Sequence, residues 1–142
     1  MTSQIERFNA VALVGRVLLA AIFVLSGVGK IFAPEATQGY IASAGLPFPQ
    51  LVYVGAVVLE IGGGLLLAVG YKTRLAALVL AVFSVAAALI FHGAIDDQNQ
   101  LIHLLKNFAI AGGLLQVVAF GAGSLSLDAR AGALAVAQGA SR

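Results

Sequence analysis

Two charged side chains interrupt long apolar runs and are the first candidates for chemistry. Arg16 sits within Ala10–Leu25 and Glu60 within Val54–Val69. A charge at the centre of a membrane helix costs about 2.5–3.5 kcal/mol on insertion scales, so it needs a partner or a task. Counted from the same end of their helices at 1.5 Å per residue, Arg16 lies about 12 Å deep and Glu60 about 15 Å. Opposite charges at matching depth predict a buried Arg16–Glu60 ion pair. Such a pair either locks helix register or serves as a coupling site.

A second group collects at the opposite helix ends: Lys30, His92, His103, Lys106 and Asn107. These residue types suit a ligand pocket for an anion or a quinone headgroup, with Lys30 and Lys106 as donors. The competing explanation for each lysine is snorkelling of a helix-end ammonium to the lipid headgroups. Lys106-Asn107 beside His103 is less easily explained that way. Metal or haem ligation by His92 and His103 is disfavoured because the two flank a loop instead of facing each other across a bundle. No metal site is expected. The run Gly62-Gly63-Gly64 lies mid-helix, where close packing explains it without a nucleotide.

The elements that must position these residues follow from composition. Of 142 residues, 61% are hydrophobic and 10% charged, against roughly 25% charged in soluble proteins. So few charges cannot cover a surface for water, and most of it must face lipid. The net charge is only +2 and the basic residues are scattered, which excludes a nucleic-acid partner. The absence of cysteine excludes a disulfide framework, thiol redox chemistry and cysteine-held iron–sulfur centres. The first apolar run is read as a retained helix and not a cleaved signal, because Arg16 interrupts it and no small-residue cleavage site follows.

Four segments are long enough to span a core about 30 Å thick: about 9–31, 51–70, 74–92 and 105–121. Met1 to Phe8 is a short polar lead. Pro34 at a first helical position, Glu35 in the first turn and the stop Gly45/Pro47/Pro49 predict a short interfacial helix over about 34–43. Gly70 to Arg74 is a tight basic turn, and 93–100 is a polar loop with Asp96 and Asp97. The Ala/Gly-rich tail, about 129–142, is expected to be flexible or a loose surface helix. A faint internal repeat relates Arg16–Ser26 to Arg74–Ser84. The expected fold is all-α: a single membrane domain forming a four-helix bundle with a short interfacial helix between helices 1 and 2.

Helical spacing gives each span one face of small and polar residues, as close packing in lipid requires. These faces are Arg16/Ala20/Phe23/Ser26/Lys30, Tyr53/Ala56/Glu60/Gly64/Leu67, Ala77/Ala81/Ser84/Ala88/His92 and Lys106/Ala109/Gly113/Gln116/Phe120. Arg7, Lys72, Arg74, Arg130 and Arg142 fall on one side of the bilayer, against Lys30 and Lys106 on the other. That bias puts both termini in the cytoplasm of a multi-pass cell (inner) membrane protein.

The ordered set Gly15-Arg16, Gly27-Val-Gly-Lys30, Gly45-Leu-Pro47, Glu60-Ile-Gly-Gly63, Gly70-Tyr-Lys-Thr-Arg74, His92, Lys106-Asn107 and Gly123-Ser-Leu-Ser-Leu-Asp128 resembles the DoxX family of small membrane proteins. The resemblance runs from about Gly15 to Asp128. It implies a four-helix integral membrane protein associated with membrane redox systems, with no established catalytic set to carry over. The leading expectation is an accessory or quinone-interacting subunit of a membrane oxidoreductase, with no cofactor of its own and catalysis only through a partner. The alternatives are a small transporter or permeability module for an anion or weak acid, acting as a homodimer, and a structural membrane scaffold.

Overall fold

The structure, a computed structural model, describes the backbone of residues 2–139 and the side chains of residues 8–138. Six helices follow one another: α1 (Thr2–Phe32), α2 (Pro34–Ser43), α3 (Pro49–Val69), α4 (Thr73–Phe91), α5 (Gln98–Phe120) and α6 (Leu127–Gly139). There is no strand among the described residues. Four of the helices are long and apolar enough to cross a membrane: Phe8–Phe32 of α1, and α3, α4 and α5 whole.

Local chemistry sets most boundaries. Pro34 opens α2, with Glu35 favourably placed at the positive end of its dipole. Gly45 at φ 78° ends the segment, and Pro49 opens α3. Gly70, at φ 73°, closes α3 as its N–H and that of Tyr71 both return to Leu66 O. Helix α5 begins at Gln98, seven residues before the expected 105. The cause is Asp97, whose carboxylate accepts from the N–H groups of Asn99 (2.8 Å) and Gln100 (3.0 Å). Asp97-x-x-Gln100 has the form of a capping box, a signal that hydropathy alone passes over.

The expected polar lead is helical where described, as the start of α1; Met1 lies outside the described residues. The expected tail contains α6, while residues 140–142 lie outside the described set.

Helix α1 packs antiparallel on α3 and α4 on α5, and α3 against α4 joins the two pairs; α2 lies on α3. The core is formed by Ala20, Phe23, Leu67, Ala77, Leu80, Ala81, Ala111 and Leu114. Small residues set the closest approaches. A Cβ added at Gly64 would lie 2.8 Å from Val24 Cγ2, and one at Gly27 would lie 2.6 Å from Ile61 Cγ1. Such packing is what holds helices together where lipid is as apolar as leucine.

The expected inward faces of the first three spans are the buried ones, with Arg16, Ala20, Phe23, Glu60, Leu67, Ala77, Ala81, Ser84 and Ala88 all enclosed. The fourth is rotated from expectation. Ala109, Gln116 and Phe120 are exposed, and α5 turns Ala111 and Leu114 inward instead. Phasing α5 from its polar residues fails because Gln116 lies outside the packed face.

Candidate functional site

The two intramembrane charges are both buried, Arg16 to 2% exposure and Glu60 to 4%, but they do not meet. This corrects the expected pair. In the antiparallel α1–α3 register, Ser26 is level with Glu60, its Oγ donating to Glu60 Oε1 at 3.1 Å. Arg16 is level with Gly70, where an added Cβ would lie 3.1 Å from the guanidinium carbon. The ten residues from Glu60 to Gly70 are about 15 Å of helix, beyond the reach of an arginine. Depth counted from each apolar run separately misses this offset, because it ignores how the helices slide against each other.

Each charge has other partners. Lys30 Nζ lies 2.9 Å from Glu60 Oε1 and 2.8 Å from Oε2, and also donates to Ser26 Oγ at 2.8 Å. Ser26 and Lys30 are four residues apart on one helical face, so α1 presents a hydroxyl and an ammonium together to one carboxylate. Glu60 Oε2 touches the ammonium but takes part in no hydrogen bond of good geometry. Tyr53 Oη donates to Lys30 O at 3.3 Å.

Arg16 instead ties helix ends together. Its Nη1 donates to Ala122 O, its Nη2 to Leu125 O (2.9 Å) and Ala68 O (3.3 Å), and its Nε to Ala68 O (3.4 Å). Beside it, Asp128 accepts from Lys72 N (2.8 Å), Thr73 N (2.9 Å) and Thr73 Oγ1 (2.7 Å). Lys72, at φ 44°, offers no side-chain cap to α4, so a carboxylate from the start of α6 caps it from a distance in sequence. Burial pushes the Asp128 carboxyl up, but the Thr73 and Lys72 donors and the Arg16 charge outweigh it and hold it below its ordinary value.

The Lys30–Glu60 pair forms part of the lining of a cavity of about 700 Å³ at the bundle end where α2 lies. His92, His103, Lys106 and Asn107 line the same cavity, so the five candidate ligand residues come together with Glu60 added. His92 and His103, expected merely to flank a loop, have rings stacked at 5.0 Å and 23°, because α5 begins early and carries His103 back beside α4. His92 Nδ1 is hydrogen-bonded with Gln100 Oε1 at 2.8 Å. Asn107 Nδ2 donates to His103 O. The walls are apolar, with Phe23, Phe83, Phe91 and Ile110 among them. Helix α2 covers the cavity: Tyr40 stacks on Phe91 at 5.2 Å and its hydroxyl donates to Phe91 O. Sequence reasoning missed Tyr40, Ser26 and Gln100 as site residues. The i, i+4 spacing of Ser26 and Lys30 was the available signal for one of them.

The chain itself is similar in sequence to a wider group of proteins. The family model described as DoxX matches residues 11–93, which carry Arg16, Ser26, Lys30, Glu60 and His92. The chain belongs to the DoxX family. It is 36% identical over 116 residues to the inner membrane protein YqjF of Escherichia coli K12, covering 82% of this chain and 88% of that protein. It is 32% identical over 123 residues to the inner membrane protein YphA of the same organism, covering 83% and 88%. No solved structure matches. His103, Lys106 and Asn107, the α5 side of the cavity in this DoxX protein, fall beyond the matched residues.

Proposed function

We propose that this DoxX protein resides in the inner membrane with both termini cytoplasmic and binds a lipid-soluble, polar-headed small molecule of the quinone class in its α2-covered cavity. In this reading it is an accessory subunit supplying such a molecule to a membrane oxidoreductase. The single observation that carries it is the joining of apolar walls to the Lys30–Glu60 pair, His92, His103, Lys106 and Asn107 in one cavity. Ligand sites are of this kind, mostly apolar with a few converging polar groups. The positive-inside bias then puts the cavity on the outward side, away from the basic 70–74 turn.

Fully buried Leu67, Leu80 and Leu114 belong to the core that holds the bundle together. A packed core of this kind supports binding over passage of an anion or weak acid. The test is titration of the purified, detergent-solubilised protein with a short-tailed quinone analogue, beside pull-down from native membranes. Saturable binding that weakens about tenfold in Lys106→Gln, together with a co-purifying oxidoreductase, is expected. Absence of both would refute the reading. Proteoliposome flux of a weak acid that depends on Glu60 would favour a transporter instead. Sided labelling of single cysteines at Thr37 and Ala131, easy in a chain without native cysteine, tests the orientation.

A further inference from the structure

At the end of the bundle away from the cavity, three span ends and the start of α6 are tied into one junction. Asp128 N donates to Gly70 O at 2.9 Å, and its carboxylate takes the N–H groups of Lys72 and Thr73. The end of α5 lies beside the start of α4, where a Cβ added at Gly121 would sit 3.5 Å from Arg74 Nε. Two of the charges here are already engaged. Arg16 is buried and donates to carbonyl oxygens, and Asp128 caps α4. Three cations are left over: Lys72 before α4, Arg74 in its first turn and Arg130 in the first turn of α6. Their side chains are exposed and have no ion pair or hydrogen bond among the described residues. Lys72 and Arg74 are two residues apart, as are Asp128 and Arg130, so all three long side chains start close to the same junction. Exposed apolar surface adjoins them in Tyr71, Leu75 and Phe120.

We propose that Lys72, Arg74 and Arg130 form a binding site for an anionic phospholipid of the leaflet that this end of the bundle faces. The guanidinium forks of Arg74 and Arg130 suit phosphate oxygens, and Lys72 adds a point charge. The α4 N-terminus itself is closed to the phosphate by Asp128, so the side chains carry the contact. A lipid fits where a soluble anion does not, because the cations stand at span ends and its acyl chains cover Leu75 and Phe120. Tyr71 sits at headgroup level, where an amphipathic ring is favoured. Unpaired basic residues near the bilayer surface each add to the attraction of anionic lipid, and three together give a preference of about tenfold or more over a zwitterionic lipid. This site is separate from the cavity and does not depend on the ligand there.

The test titrates the full-length protein, in a neutral detergent, with phosphatidylglycerol, phosphatidylcholine of the same acyl chains, and glycerol phosphate. Native mass spectrometry counts what stays bound. Phosphatidylglycerol is expected to be retained about tenfold better than phosphatidylcholine, or more, and glycerol phosphate to be lost. In Lys72→Gln/Arg74→Gln/Arg130→Gln the ratio of the two lipids is expected to fall close to one. Thermal unfolding checks that this variant is folded, and the wild-type ratio stands as a test without it. Adding Asp96→Lys and Asn99→Lys to the triple variant restores the net charge of +2 at the opposite end, and the preference is not expected to return. Equal retention of both lipids by the wild-type protein would overturn the proposal, as would a ratio that survives in the triple variant. A preference that returns with the relocated charges would reduce it to bulk electrostatics and overturn the site. Glycerol phosphate held as tightly as phosphatidylglycerol would overturn the lipid in favour of a soluble anion.

Discussion

Lys30 and Glu60 form an ion pair across α1 and α3, with the ammonium 2.8–2.9 Å from both carboxylate oxygens and 25% of the lysine side chain still exposed. The carboxylate is almost wholly enclosed, so the two members differ in what their loss costs. Removing one partner of a fully buried pair costs roughly 3–5 kcal/mol, because a charge is left uncompensated. Lys30→Met should approach that loss, since it strands Glu60, whereas the double variant Lys30→Met/Glu60→Gln should lose less. A double-mutant cycle on chemical unfolding in detergent measures the coupling, and additive losses would show that the pair does not act as a unit.

Arg16 should behave as a structural residue. Its guanidinium satisfies carbonyl oxygens from the end of α3 and from the α5–α6 connection. Hydrogen bonds to charged groups contribute about 1.5–3 kcal/mol each, so Arg16→Met should lose roughly 3 kcal/mol or more. Arg16→Lys should rescue only part, since an ammonium lacks the planar fork. Binding in the cavity, about 15 Å along the bundle, should be unchanged in whatever fraction stays folded. A selective loss of binding at unchanged stability would contradict this.

Asp128 caps α4 and should make stability pH-dependent. Its carboxyl is held below the ordinary value in the folded protein, so its contribution is present above the usual carboxylate range. That contribution is lost as pH falls through the lowered folded value. Asp128→Asn should therefore cost about 1 kcal/mol near pH 7, the usual size of a cap. The gap from wild type should narrow below about pH 4. Unfolding curves across that range check the sign, and a gap that widens on acidification would reverse it.

Glycines at the α1–α3 contact should not tolerate a methyl group. Gly64→Ala would bring its Cβ against Val24, Ala20 O and Phe23, and overpacking of that kind costs typically 1–3 kcal/mol. Gly62→Ala, with nothing within 4 Å of the added carbon, should be neutral or slightly stabilising. Paired melting curves decide it, and equal effects at the two positions would mean that α1 and α3 are not in this register.

The amino-acid sequence by itself determined the four spans except for the start of α5, together with the short helix over 34–43 and the inward faces of the first three spans. Hydropathy, Pro34, Gly45 and small-residue spacing act locally, and continuous apolar runs of about 20 residues satisfy their own backbone in lipid as helices. Sequence also picked out Arg16, Lys30, Glu60, His92, His103, Lys106 and Asn107 as unusual, since each is costly or misplaced in hydrocarbon. Which of them are partners was decided only by the tertiary structure. Helix register sets Glu60 beside Ser26 and Lys30 and leaves Arg16 to the carbonyls near Gly70. The same holds for Asp128, which reaches an α4 terminus 55 residues away in sequence, and for α5, whose rotation depends on how Ala111 and Leu114 fit the core. Periodicity along one helix fixes which residues share a face. It carries no information on how far that helix slides or turns against its neighbour, and the pairing of buried charges depends on that sliding.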